Sequence, residues 1–221
     1  IPKNFPNELQ TYLTNSDYFK MIPGIPIAYW VSDKIYDSFK YEKIEKYAIS
    51  DGQTKTGDNN KYLRLIWEVE RNTIGKGKKW VIHAKGGGYR RCFGNIDTII
   101  DWSEKAKRHY RKDHVARIAP EYIWFRRGVS WNLISSSERF SVRLLEEDST
   151  FNLAAPSIFF DEENLNDYVL ALLNSKYAEK IIRILNPTLN TNIGDVTSIP
   201  LKISRDKEIL DLARDNITIS K

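Results

Sequence analysis

Residues 164–185 read NLNDYVLALLNSKYAEKIIRIL, the clearest helical pattern in the chain. Leu165, Val169, Leu172 and Leu173 recur every three to four residues, and so do Ala178, Ile181, Ile182 and Leu185. Each half therefore carries one apolar stripe, as an amphipathic helix does, and Asn174-Ser175 divides the run into two helices. Immediately upstream the pattern becomes that of strands. NLAAPSIFF (152–160) is a strand broken by Pro156, and GVSWNLISS (128–136) with RFSVRLLEE (139–147) forms a hairpin turning near Ser136 and Ser137. Further back, KKWVIHAKGGG (78–88) is a strand closing in a glycine turn. KYLRLIWEVE (61–70) alternates Tyr62, Leu63, Leu65, Trp67 and Val69 with polar residues and predicts another strand. SEKAKRHYRKDHVARI (103–118) is charged nearly all round and predicts an exposed helix capped by Ser103. Downstream, GDVTSIPLKI (194–203) predicts a late short strand, and SRDKEILDLARDNI (204–217) a helix capped by Ser204.

The first sixty residues, punctuated by Pro2, Pro6, Pro23 and Pro26, read as helical pieces and loops. Among them is a helix capped at Ser32 and Asp33 and running through Ile35, Phe39 and Ile44. Interleaved helices and strands predict an α+β (mixed α/β) fold, with a twisted, mostly antiparallel sheet and flanking helices. No G-x-G-x-x-G follows a strand, which argues against a doubly wound nucleotide fold.

At 221 residues, 41% hydrophobic and 12% aromatic, the chain is long and apolar enough for one substantial core. No apolar run reaches the roughly 20 residues of a membrane span. A single cysteine, Cys92, excludes an internal disulfide and suits a reducing, cytoplasmic compartment. The chain starts at Ile1 and its one methionine is Met21, so it is expected to be a piece of a longer polypeptide.

The net charge of +5 hides an asymmetry. Seven basic residues and no acid lie between Arg71 and Arg91, and Lys105–Arg127 adds eight against Asp113 and Glu121. Between Arg143 and Lys176 there is no Lys or Arg, while seven acids accumulate from Glu146 to Asp167. A basic middle of this kind suits an oriented surface facing a polyanion, whereas a merely solvated face mixes both signs.

Catalytic motifs are missing. His83, His109, His114 and Cys92 are the soft metal ligands, but no C-x-x-C or H-E-x-x-H occurs, and no metal site is assigned. Cys92 beside Arg91 is expected to have a somewhat lowered thiol pKa, yet no base is spaced to activate it, and a half-buried structural thiol is the simpler reading. No Asp or Glu has Lys at the second position after it, the pairing of the common metal-dependent nucleases. KGGGYRR (85–91) lacks the G-K-[ST] ending of a phosphate loop, so its expected role is a tight turn that brings Lys85, Arg90 and Arg91 near a ligand. NPTL (186–189) resembles the Asn-Pro-Pro-aromatic motif of adenine methyltransferases. Its third and fourth residues supply neither the second proline nor a ring to stack on a flipped base, and Pro187 reads as a helix stop.

What remains has the composition of a DNA-reading surface: Arg or Lys for guanine, Asn or Gln for adenine, small hydroxyls for either. DGQTKTGDNNKYLR (51–64), KGGGYRR and NPTLNTNIGD (186–195) supply such residues on loops, with Trp131 at the hairpin, although turns use Gly, Asn, Asp and Thr for their own geometry. The candidates for base readout are Gln53, Lys55, Asn59, Asn60, Arg90, Trp131 and Asn192, while Asp58 is expected to fix its own loop. Those for phosphate are Lys76, Lys78, Lys79, Arg90, Arg91, Arg126 and Arg127.

The succession of strings also carries a resemblance. IAYWVSDKIYDSF, GQTKTGDNNKYLRLIWEV, KKWVIHAKGGGYRRCFGN, WFRRGVSWNLISS, AAPSIFF and LALLNSKYAEKIIRILNPTLNTNIGDVTSIPL, spanning Ile27 to Leu201, resemble in order the C-terminal part of the PglX family. These are the adenine-specific DNA methyltransferases of BREX phage-defence systems. The family is similar in turn to the target-recognition domains of TaqI-type and type I restriction-modification enzymes. The resemblance implies a lead-in segment over residues 1–26, a DNA target-recognition domain over 27–203 and the start of a spacer helix over 204–221. It also implies double-stranded DNA and an upstream methyltransferase domain of the same polypeptide as partners. S-adenosylmethionine would be bound by that parent enzyme and no cofactor by this piece. Two other readings stand beside it. One is a piece of a combined restriction-methylation enzyme that keeps nuclease activity. The other is a protein-interaction or specificity-subunit module that docks through Glu146–Asp167 and the helices of Leu165–Leu185.

Overall fold

A computed structural model describes residues 16–135, 139–203 and 207–221. In chain order the helices are α1 (Asp33–Ser38), α2 (Asn59–Tyr62), α3 (Glu104–Lys112), α4 (Glu163–Leu173), α5 (Lys176–Leu185), α6 (Ile193–Thr197) and α7 (Lys207–Ser220). The strands are β1 (Leu63–Leu65), β2 (Trp80–Ala84), β3 (Thr98–Asp101), β4 (Gly128–Trp131), β5 (Val142–Leu145), β6 (Ser149–Phe151) and β7 (Ser157–Phe159). The fold is α+β, as expected, with the strands divided between two sheets. One is ordered β1-β3-β2-β6 and the other β5-β4-β7. All pairings are antiparallel except β2 with β6. The chain leaves the first sheet after β3, builds β4 and β5, returns for β6 and crosses back for β7.

The 164–185 pattern forms the two helices it predicts. Leu165, Val169, Leu170 and Leu173 of α4, and Ala178, Ile181, Ile182 and Ile184 of α5, pack with Val129, Trp131, Val142, Leu144 and Ile158 of the three-stranded sheet. Asn174 stops α4 with its side chain: Nδ2 donates to the carbonyls of Val142 (2.9 Å) and Leu170 (3.0 Å). Its Oδ1 accepts from the Val142 N–H. Ser175 Oγ then caps α5 at the Ala178 N–H, 3.2 Å away. A second cluster sets α3 against the larger sheet through Val81, Ile100, Ala106 and Tyr110, and Ser103 caps α3 as expected. A third, with Ala84, Leu145, Phe151 and Phe159, fills the seam between the sheets. Gly128 belongs to that seam, because a Cβ there would stand 2.6 Å from the Ile158 carbonyl oxygen and from the Phe159 ring.

Three expectations need correction. KYLRLIWEVE is not one strand: Asp58 caps a turn of α2 at the Lys61 N–H, β1 lasts three residues, and Glu68 accepts from the Leu65 N–H at 2.7 Å to close a 3-10 turn. Of that stretch only Tyr62 is buried, while Leu65 and Trp67 on the alternating apolar face stand exposed. GDVTSIPLKI begins as α6, because the Asp195 carboxylate accepts from the Asn192 N–H (2.8 Å) and starts a helix where the β-branched residues suggested a strand. Only Pro200 keeps strand character there, in an isolated bridge to Lys43. The helix through Ile35 ends at Ser38, short of Ile44. Ser136, Ser137 and the expected cap Ser204 lie outside the described residues. Helix α7 lies along α4, burying Ala213 and Ile217, and Arg214 reaches Asp167 at 2.9 Å.

His83 of β2 is fully buried, with Nδ1 2.9 Å from Thr150 Oγ1. Burial, with help from Lys85, pushes its pKa down to about 3, so the folded protein keeps it neutral. The unfolded chain binds that proton near pH 6.5, so the stability tied to neutral His83 is fully present above pH 6.5 and is lost as pH falls toward 3. At pH 5 the loss is about 2 kcal/mol. Urea unfolding at pH 7 and pH 5 is expected to show this excess over His83→Gln; equal pH dependence in the two proteins would refute it.

Candidate nucleic-acid interface

The loop before α2 is held by alternation. Thr54 and Thr56 point inward and are fully buried, while Lys55 is exposed and exchanges backbone hydrogen bonds with Arg117. Gln53 is thereby turned into a small pocket of about 110 Å³ that it shares with Leu133, Asn152 and Asn192. Two sequence-remote readout candidates, Gln53 and Asn192, thus meet. Asn59 and Asn60 open α2, both exposed, with Asn59 Oδ1 accepting from Thr56 Oγ1 at 2.7 Å. Together with Arg64, Glu68 and Lys85 they line an open groove of about 390 Å³. This brings the first loop cluster to the edge of the second.

The glycine turn is tighter than its sequence suggests. A Cβ on Gly86 would stand 2.9 Å from the Ala154 carbonyl oxygen, and one on Gly87 would strike the Asn95 carboxamide at 2.9 Å. Asn132 brackets Gly87, accepting from its N–H at 3.2 Å and donating to its carbonyl at 2.6 Å. Asn95 donates to the Gly88 carbonyl at 3.0 Å. The turn's backbone groups are therefore partly taken by side-chain amides from the protein itself. Arg90 is exposed and covers Gly94, whereas Arg91 donates to the Asn174 carbonyl at the α4–α5 junction.

In the third cluster, Asn186 donates to the Asn190 carbonyl (2.9 Å) and to Asp195 (2.8 Å), and Ile134 bridges Asn190. The polar loops around Asn132, Asn152, Gln53 and Asn192 therefore lie beside the β4 end that carries Leu133. Trp131 is a correction. Its ring is fully buried and Nε1 donates to the Thr191 carbonyl at 2.9 Å, so it is a core residue and not a platform for a base.

Among the phosphate candidates, Lys76, Lys78 and Lys79 are exposed on the turn before β2. Lys79 Nζ lies 5.1 Å from the Trp80 ring centre and Lys76 Nζ 5.8 Å from that of Phe125. Arg126 and Arg127 are differently placed: Arg126 pairs with Asp161 at 3.0 Å, and Arg127 with the buried Asp167 at 2.7 Å. Both acids come from the acidic later section, so part of the charge asymmetry is paired off within the chain, at the surface for Asp161 and in the interior for Asp167. Sequence reasoning passed over Arg64, Asn95, Asn132 and Asn152 as site residues, and placed Lys85 near a ligand without giving it a role. Arg64 and Lys85 were visible within the quoted strings, but the three asparagines stood outside any polar cluster.

His83 and His109 are structural, whereas His114 is exposed. His109 stacks on Tyr62 with ring centres 4.7 Å apart, its Nε2 3.0 Å from the Thr56 carbonyl oxygen, and His114 lies beyond the end of α3. No group of three or more His, Cys, Asp or Glu side chains is arranged to hold a metal among the described residues. Burial pushes the Cys92 thiol up, against the smaller opposing pull of Arg91, which reverses the direction read from sequence. No helix among the described residues is long and apolar enough to cross a membrane.

No protein-family model matches the chain. It is similar to the adenine-specific methyltransferase PglX of Lacticaseibacillus casei (strain Zhang), 29% identical over 234 residues. That alignment covers 98% of this chain and 19% of PglX. It is also similar to the adenine-specific methyltransferase BrxX of Escherichia coli O9:H4 (strain HS), 34% identical over 210 residues, covering 92% of this chain and 17% of BrxX. The chain thus spans less than a fifth of the length of these curated relatives. Along nearly all of its own length, it matches a portion of an adenine-specific methyltransferase of the PglX and BrxX kind.

Proposed function

We propose that the chain is the DNA target-recognition portion, from the C-terminal part, of an adenine-specific DNA methyltransferase of a BREX phage-defence system. The observation that carries this reading is the meeting of amide side chains from remote segments. Gln53 joins Asn192 in one pocket, and Asn59 and Asn60 join Arg64 and Lys85 in a separate groove. Asn and Gln are the side chains that read adenine in the major groove, and Lys76, Lys78, Lys79 and Arg90, all exposed, would serve as phosphate anchors. An upstream domain of the same polypeptide would bind S-adenosylmethionine, flip the adenine and methylate it. This division leaves target recognition to the present residues, in the cytoplasm.

The test is fluorescence anisotropy of the chain on duplex DNA carrying the parent's methylation site, as a function of salt. Binding is expected to weaken steeply with salt, and Lys78→Ala to weaken all duplexes alike while flattening the log–log slope by about one. Asn60→Ala is expected to cost about 1–3 kcal/mol at one base pair only. Affinity indifferent to salt would reject DNA as the ligand and favour a protein-docking module. The helices that such a module would use already bury their apolar faces in this chain's own core. The chain alone is expected to transfer no methyl group from radiolabelled S-adenosylmethionine and to leave plasmid DNA uncut in the presence of magnesium.

A further inference from the structure

Helix α3 presents three surfaces. Ala106 and Tyr110 face inward and are buried. On one flank Lys107 and Arg111 stand over the Trp124 ring, 5.6 and 5.8 Å from its centre, and each is paired with an acid, Glu104 and Glu121 respectively. Lys105, Arg108 and Lys112 form the third surface, and all three are exposed. At 3.6 residues per turn they share a sector of about 60° opposite the buried face, in a row about 10 Å long. The ion pairs of α3 among the described residues are those of Lys107 and Arg111, so the row is unpaired. Acids are near it but are turned elsewhere. Asp101 accepts from the Ser103 N–H at 2.9 Å, Glu104 is taken by Lys107, and Asp113 accepts from the Val115 and Ala116 N–H groups at 2.8 and 2.9 Å. Other exposed lysines do meet the acid one turn away, Lys20 with Asp17, Lys40 with Asp37 and Lys46 with Glu42. Like charges one turn apart work against a helix, and an anion laid along the row would remove that repulsion.

We propose that the Lys105–Arg108–Lys112 row holds the phosphate backbone of one strand of double-stranded DNA beside the loop that carries Asn59 and Asn60. The inference rests on the DNA-recognition reading and adds the element that sets the duplex in register, since phosphate contacts position and base contacts specify. His109 fixes where the row lies. Lys105 and Lys112 are its neighbours one turn away on either side. His109 itself leans on the loop, stacked on Tyr62 and with Nε2 3.0 Å from the Thr56 carbonyl oxygen. Lys61 Nζ stands 5.2 Å from the centre of the same Tyr62 ring. Asn59 and Asn60 lie between Thr56 and Tyr62 in the chain, so a backbone laid on the row passes beside them. A row of about 10 Å matches about three nucleotides of one strand at their rise along the duplex. A membrane surface fits the row less well, because a helix lying on lipid inserts an apolar face, and Ala106 and Tyr110 are committed to the core.

The test is the salt dependence of fluorescence anisotropy on duplex DNA, for the unmodified chain and two triple variants. Lys105→Ala, Arg108→Ala and Lys112→Ala combined keep a helix-favouring residue at each exposed position, and circular dichroism checks that the variant folds. This variant is expected to flatten the log–log salt slope by about three. It is also expected to weaken every duplex alike, on the order of 100-fold at about 0.15 M salt. Lys20→Ala, Lys40→Ala and Lys46→Ala combined remove the same formal charge from paired lysines outside α3, and are expected to leave the slope unchanged. Lys112→Gln alone, expected to flatten the slope by about one, decides the matter should the α3 triple variant be unfolded. If the unmodified chain binds with a steep slope that the α3 variants keep, the row is overturned and the DNA reading stands. An equal flattening in the paired-lysine variant also overturns the row, because net charge would then be the cause. Absence of salt-dependent binding by the unmodified chain overturns both, as does row-dependent binding to phosphatidylserine vesicles with none to DNA.

Discussion

Replacing Asp167 by alanine is expected to cost about 3–5 kcal/mol of stability, measured by urea unfolding at pH 7. Asp167 is 1% exposed on α4, where Oδ2 accepts from Arg214 Nε at 2.9 Å. Its Oδ1 sits 2.7 Å from Arg127 Nη2, close enough to pair but without hydrogen-bond alignment. Two guanidiniums therefore share one carboxylate, one arriving before β4 and the other from α7. Without it, Arg127 is left mostly buried beside another cation, with Nη1 already lacking a partner. Asp167→Asn keeps the shape and loses the charge, and it is expected to cost nearly as much. Combining Asp167→Leu with Arg127→Met is expected to recover most of the loss, because apolar replacement of a buried pair is often neutral or better. A loss under about 1 kcal/mol for Asp167→Ala would place the pair in the weak class of solvated surface bridges.

Trp131→Ala is expected to cost about 3–5 kcal/mol through the cavity it leaves. It also strands the Thr191 carbonyl that Nε1 now satisfies. Trp131→Phe preserves most of the packing and loses only that hydrogen bond, so it should fold. Its DNA affinity is expected to equal that of the unmodified chain, because the ring is sealed inside the core. A selective affinity loss in the folded Phe variant would return Trp131 to the binding surface. Anisotropy with matched circular dichroism separates the two outcomes.

The helical pair at 163–185 was legible because its apolar period survives in one stretch and both faces of the pattern have a destination. The stretch around Leu63–Val69 misled because alternation signals a strand only where one face is buried, and here the surrounding fold leaves Leu65 and Trp67 in solvent. The α6 segment misled for a different reason. Val196, Thr197 and Ile199 favour strands, but Asp195 three residues after Asn192 closes a helix start, a signal as local as the propensity it outweighs. For the candidate site, residue type and loop position picked out Gln53 and Asn192, which line one pocket, and Asn59 and Asn60, which line a groove. They could not separate free cations from engaged ones, since Asp161 lies 35 residues beyond the Arg126 it pairs with. Arg143 was invisible for the same reason: nothing in RFSVRLLEE announces that its interior cation meets no acid among the described residues.

The route by which the chain alternates between its two sheets has a consequence for how the protein gains and loses structure. β6 belongs to the sheet begun by β1, yet it follows β5 of the other sheet by only three residues, 146–148. Neither sheet is complete until the strand after the crossing has been laid down. Any single cut between β3 and β7 removes pairing partners from one sheet or both. Pairing strands that are far apart in the chain raises the contact order, so folding is expected to be slow. Under the proposed DNA-reading role, a new binding preference is expected to arise by changing residues such as Gln53, Asn60 or Asn192 in place, since none of them belongs to a strand of either sheet.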